Sequence, residues 1–340
     1  MATTKISDLI VPELWTPNFL LEDPALIAFF NSGVVAQDAV LGNFASGEGQ
    51  TFHLRHLNDL ANDAENSSSD DDTQKSTPKK ITGGEQIAVK IMRNQSWSSM
   101  DLAAALHSPD PVAAIRSRIA SYWARRFQAC AISVLKGVLA DNVANDSGDM
   151  LYDHAASSAT DKTIAGDAII NATVTMGDRL NDLDCIAMHS IQYATLQKKQ
   201  LIVYLRDGDA NINFPAYLGR RVVVDDGLPV TGAGTELDPF KYLAVLFKSG
   251  TLRMGFGTPK TPMEVQRVPD AGNGEGQEII YSRQHFILHP AGFKYKASAG
   301  NPTHTVRETA TTWDRVCARK QVPVAVLRTL YTKALRGFFS

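Results

Sequence analysis

Between Asp110 and Ala144, apolar side chains recur at intervals of three and four: Val112, Ile115, Ile119, Tyr122, Trp123, Phe127, Cys130, Val134 and Val138. That spacing places them on one face of a single helix, with Ile115, Ile119, Trp123 and Phe127 as its packing residues. Asp110 can cap the first turn, and Pro111 then falls at the first helical position, where its missing N–H costs nothing. Arg116, Arg118, Arg125, Arg126 and Lys136 point mostly away from the apolar face. At 1.5 Å per residue the helix would run about 50 Å, longer than a compact domain needs. The pattern predicts a spine.

Ahead of it, residues 2–41 alternate short apolar clusters with Pro12, Pro17 and Pro24, and Asp23-Pro24 opens a short helix through Phe29 and Phe30. An arm fits this better than a domain, and Phe29 and Phe30 become candidates for contact with a neighbouring chain. Thr51–Leu57 and Gln86–Met92 read as strands of one long hairpin. Its tip, residues 58–84, is polar and carries Asp70, Asp71 and Asp72 close to Lys75, Lys79 and Lys80. So long a polar connection is uncommon unless it binds something or moves. Beyond the spine, residues 166–178 read as a helix. Cys185–His189 reads as a strand, followed by a helix with Ser190 as its cap. Strand patterns then cover 219–225, 242–247, 263–268 and 278–286, separated by turn signals. A short helix over 312–319 and an extended run over 322–327 follow. The class is mixed α+β with an antiparallel bias.

Composition changes this picture little. The chain has 340 residues, 44% hydrophobic and 21% charged, and a formal net charge of −2, which offers no excess positive field to hold a nucleic-acid backbone tightly. Cys130, Cys185 and Cys317 lie far apart and read as small apolar packing residues of a chain in a reducing compartment. No basic, then apolar, leader opens the chain, and the sequence offers no run of the roughly 18 apolar residues that spans a membrane.

Candidate chemistry is sparse. His285 and His289 lie four apart on a strand, which separates them by about 13 Å, too far to chelate one metal. His53 and His56 face opposite sides of theirs. His189 and Ser190 suggest a hydrolase, yet neither a nucleophile elbow nor a glycine-rich oxyanion loop accompanies them. The glycines of Ala271–Gly276 lack phosphate-loop spacing and read as a hairpin turn. The residues therefore indicate no catalytic, metal or cofactor site. What remains is a spine, a projecting hairpin and an apolar arm on an α+β body, a set that makes sense for a subunit lacing into its neighbours.

Six stretches carry a family resemblance: TKISDLIVPELWTP near the start, YWARRFQ in the spine, CIAMHSIQYATLQK, FPAYLGRRVVVDDGLP, IIYSRQHFILHPAGFKY and WDRVCARKQVPVAVL. In this order, across nearly the whole chain, they resemble the major capsid proteins of tailed bacteriophages with the Hong-Kong-97-type fold. The resemblance implies an N-arm over 1–46, an extended loop over 47–96, a peripheral domain over 97–177 holding the spine at 110–144, an axial domain over 178–286 and a return to the peripheral domain over 287–340. It implies a structural, non-enzymatic subunit of a virion shell, assembled in the host cytoplasm as homo-pentamers and homo-hexamers around double-stranded DNA contacted non-specifically. A portal and a decoration protein are further expected partners. Because no long scaffolding segment precedes the arm, a separate scaffolding protein is expected too. An encapsulin-type compartment shares the fold and is the alternative. Asp70, Asp71, Asp72, Lys79, Lys80, Arg125 and Arg126 are the expected inter-subunit contacts, besides Phe29 and Phe30.

Overall fold

A computed structural model describes residues 28–106, 111–206, 213–235 and 238–331. The expected cap Asp110 and the arm before residue 28 lie outside them. In chain order the elements are β1 (Val35–Gln37), α1 (Ala39–Ser46), β2 (Thr51–Leu57), β3 (Gly83–Met100), α2 (Asp101–Leu106), α3 (Pro111–Asn145), β4 (Leu151–Asp153), α4 (Gly166–Val174), β5 (Cys185–Met188), α5 (Ser190–Lys198), β6 (Val203–Arg206), β7 (Asn213–Tyr217), β8 (Arg220–Val224), β9 (Val230–Thr231), β10 (Phe240–Phe247), β11 (Leu252–Gly257), β12 (Met263–Val268), β13 (Gln277–Pro290), β14 (Phe293–Tyr295), α6 (His304–Arg307), β15 (Trp313–Arg315) and β16 (Val324–Tyr331).

The strands form two large sheets. One runs β1-β11-β13-β3-β2 with β12 also on β13; the other runs β4-β16-β10-β5-β8-β7-β6 with β9 on β10. Strand pairing runs across the expected boundary at residue 286. Residues 252–290 join β3 rather than the preceding strands, because β13 pairs antiparallel with β3 from Gln277↔Met100 to Ile287↔Lys90. Conversely β16 lies along all of β10, from Phe240↔Tyr331 to Phe247↔Val324, and draws β4 in beside it. Chain order does not reveal such pairings.

The spine α3 has 35 residues, and its two halves are buried differently. Up to Phe127 it is amphipathic: Val112, Ile119 and Trp123 pack with Ile280 of β13, while Arg126 stays exposed. From Cys130 to Leu139 only Lys136 escapes burial, so the single apolar face expected from the spacing does not describe this half. It sits where both sheets meet, in one cluster with Ile91, Phe286 and Leu288 of the first and Val245, Phe247 and Val326 of the second. Gly137 is the point of closest approach: a Cβ there would stand 1.9 Å from the Arg307 carbonyl oxygen and 2.7 Å from Nε1 of Trp313. By length and composition α3 could cross a membrane, contrary to the sequence reading, but 67% of its most apolar window is buried inside the protein. That marks a core helix.

Three local expectations also change. The cap of α5 is His189 rather than Ser190: its Nδ1 accepts the Ile191 N–H at 3.3 Å, and Gln192 Oε1 accepts the His189 N–H at 3.0 Å. Residues 313–315 form a strand on β14, not a helix, and the nearby helix is α6. Phe29 does not await a neighbour. It is fully buried, set edge-on to Phe247 at 5.8 Å, and its N–H donates to Asp225 Oδ2 at 2.7 Å.

Candidate functional site

Two features face outward from this frame, the β2–β3 hairpin and the amphipathic half of α3. β3 is shared along its length. Residues 83–89 pair only with β2, whereas β13 takes over at Lys90. The hairpin therefore leaves the sheet as a two-stranded ribbon, which is marginal by itself in water and needs support. At its base α1 supplies that support, with Phe44 stacked on Phe52 at 5.0 Å beside Leu41, Ala45 and Ala88. Farther out, His53 Nδ1 meets Glu85 Oε2 at 3.0 Å, and Asn58 donates to Thr82 Oγ1 at 3.1 Å. Residues 58–82 are exposed throughout.

At the tip, Leu57 and Leu60 are 72% and 69% exposed. Lys79 pairs with Asp63 at 3.4 Å and not with the aspartate run. Asp71 Oδ1 accepts both the Thr73 hydroxyl, at 2.7 Å, and the Thr73 N–H, at 2.9 Å, and these bonds hold its carboxyl below the usual range. Asp70, Asp72 and Lys80 are exposed, and the structure gives them no role beyond that.

On the spine, Trp123 Nε1 donates to Ser282 Oγ at 2.9 Å, and Arg116 pairs with Glu278 at 2.8 Å. Ile115 and Phe127 are half-buried, and Phe127 also stacks on Phe30 at 6.2 Å. Arg125 is half-buried; Arg126 donates to Nε2 of His304 at 3.0 Å. Around this last contact lies a cavity of about 150 Å3 lined by Arg93, Arg126, His304 and Arg307. Sequence reading passed over Arg93, His304 and Arg307, which stand singly in polar stretches with no periodicity to mark them.

The hydrolase suspects resolve on geometry. Ser190 Oγ lies 3.3 Å and Asp226 Oδ1 3.4 Å from the same ring nitrogen of His189, Nδ1. A catalytic triad needs the serine and the carboxylate on opposite ring nitrogens. His289 is 2% exposed, and its Nε2 meets Gln86 Oε1 at 3.2 Å. Burial pushes it down to about 4, so its ring is neutral. Among the described residues no group of His, Cys, Asp and Glu is arranged to hold a metal.

A structural scaffold with projecting contacts is the reading left. Residues 48–323 match the Gp13-like family model, described as major capsid protein 13-like. The major capsid protein of Bacillus phage SPP1 is 37% identical over 332 residues, covering 95% of this chain and 97% of that one. The chain belongs to the Gp13-like major capsid protein family. As such it is a capsid subunit and a component of the virion.

Solved structures place the same fold on phage shells. The Cyanophage Pam1 capsid matches with a TM-score of 0.59 at 10% identity, over 94% of this chain and 96% of that one. The Ralstonia phage GP4 capsid matches at 0.57 and 8% identity, over 98% and 99%. These likenesses carry the fold alone, the Hong-Kong-97-type capsid fold, and the family match carries the function. Phage coat is favoured over the encapsulin alternative.

Proposed function

We propose that copies of this capsid subunit close into pentamers and hexamers that tile an icosahedral shell around double-stranded DNA in the host cytoplasm, working with a separate scaffolding protein, a portal and a decoration protein. The hairpin carries the reading: a two-stranded ribbon leaves its own sheet and holds Leu57, Leu60 and an aspartate run exposed, with nothing among the described residues covering them. On another copy those side chains find apolar cover and cationic partners, with Arg125, Arg126 and Lys80 as contact residues there. The eight-stranded sheet forms the axial part, the six-stranded sheet with α3 the peripheral part, and β2–β3 the extended loop. DNA contact is non-specific, in keeping with a net charge of −2. No residue acts as a catalyst.

The test replaces residues 59–81 by a short glycine-serine turn. The variant should fold, with unchanged far-ultraviolet circular dichroism beyond the lost loop, and should no longer sediment as shells or capsomers with its scaffolding partner. A variant that assembles as the parent does, or a parent that stays monomeric at high concentration with that partner present, overturns the reading.

A further inference from the structure

The cavity beside α3 concentrates positive charge without a counter-charge among the described residues. Arg307, 1% exposed, donates through Nε to Ser133 Oγ at 3.1 Å and through Nη1 to the Pro302 carbonyl at 2.7 Å. Arg93 donates to the Met92 and Pro302 carbonyls and to Asn301 Oδ1. Arg126 donates to neutral His304. Every one of these acceptors is neutral, and none of the three guanidinium groups has a carboxylate partner among the described residues. The three also act on one another: Arg307 and Arg126 both lower the affinity of Arg93 for its proton, after burial itself. Arginine cannot escape by neutralising itself, so three cations crowd a partly buried space at a standing cost. The space is open: about 150 Å3 remains, and its lining also includes Ile91, Asn94, Tyr122 and Phe127. Planar guanidinium forks around an open volume fit the oxygens of a carboxylate or a phosphate, and a site walled partly by aromatic and aliphatic groups strengthens such bonds.

We propose that this cavity is an oxyanion site, taking a single phosphate or carboxylate against Arg93, Arg126 and Arg307. Two sources supply that chemistry, free phosphate in the host cell and an aspartate from the hairpin tip of a second copy. The second source rests on the assembly reading above; the first does not.

The test begins with the unassembled full chain. Its melting temperature and heat of binding are measured with inorganic phosphate, with acetate and with chloride at equal ionic strength. Phosphate or acetate, but not chloride, should raise the melting temperature by several degrees. Arg126→Gln, on the exposed rim, should bind at least tenfold more weakly. Without anion it should melt no lower than the parent, since one repelling charge has gone. Arg93→Gln repeats the measurement should that variant misfold. A second arm combines Arg126→Glu with Asp70→Lys, Asp71→Lys and Asp72→Lys. Recovery of assembly lost in Arg126→Glu alone identifies the tip carboxylate as the occupant, and free-anion binding without recovery identifies phosphate. Absence of both, or an anion response equal in parent and variants, overturns the proposal.

Discussion

Replacing Trp123 by Ala removes a large buried contact between the spine and the sheet beneath it. The indole is 5% exposed, packs with Ile119 and Ile280, and lies 5.3 Å from the Tyr122 ring and 6.1 Å from that of Phe127. Truncations of this kind cost about 3–5 kcal/mol, transfer and cavity together. A second loss adds to it. Ser282, 2% exposed, accepts the indole N–H, and a buried hydroxyl losing that donor costs about 1–3 kcal/mol more. The sum, about 4–8 kcal/mol, compares with the roughly 5–15 kcal/mol that holds a folded chain together.

Urea unfolding of the unassembled chain, followed by circular dichroism, measures the loss directly. Trp123→Phe keeps a ring in place and should cost distinctly less, and combined with Ser282→Ala it should show a favourable coupling between indole and hydroxyl. A Trp123→Ala chain within about 1 kcal/mol of the parent would refute the burial argument. Equal losses in Trp123→Ala and Trp123→Phe would refute the packing share of it.

Three further outcomes follow from single residues. Gly137→Ala places a methyl group on the Arg307 carbonyl and should destabilise the chain by about 3 kcal/mol or more, despite the better helix propensity of Ala; a melting temperature at or above that of the parent is the contrary result. His289 titrates at about 4 in the folded chain against 6.5 unfolded, because burial disfavours its charge, so unfolding takes up a proton between those values. Stability should fall as pH drops from about 6.5 to about 4, by about 3 kcal/mol, and His289→Gln should flatten that slope. Asp161 is held at about 2, first by the hydrogen bond from Lys199, 2.8 Å away, and then by Thr163. Lys199→Ala should move it back toward 3.8 in a carboxyl-resolved NMR titration, and an unmoved value contradicts the pairing.

How far the fold could be read in advance depended on whether each element's signal was local. The first half of the spine and β2 announce themselves because their own periodicity agrees with their burial. β11 does not, and its silence has a physical cause. Gly255 and Gly257 lower its strand propensity, yet α1 lies so close that a Cβ on Gly255 would stand 2.2 Å from the Leu41 backbone. The residues that hide the strand are those that let it pack. Around Trp313 the local pattern favours a helix, but antiparallel pairing with Tyr295 and burial of the indole against Gly137 prevail. The cationic cavity was illegible for a further reason. Arg93, Arg126 and Arg307 come together through β3, α3 and α6, and no spacing in the sequence expresses that meeting.

The two halves of α3 also explain where this subunit can change without unfolding. From Cys130 onward the helix is held by both sheets at once, so any displacement there breaks one core or the other. Before Phe127 it packs on Ile280 of β13 and Trp97 of β3, and its exposed or half-buried positions include Arg125 and Arg126. Under the proposed assembly, a neighbour arriving at those positions would gain charge-assisted contacts without having to displace packed apolar groups. The ribbon β2–β3 obeys the same division: its base is locked by α1 and β13, and its tip is exposed. Rigid roots with exposed ends let one sequence keep its core while its contacts adjust, as the proposed packing in pentamers and hexamers would require of identical subunits.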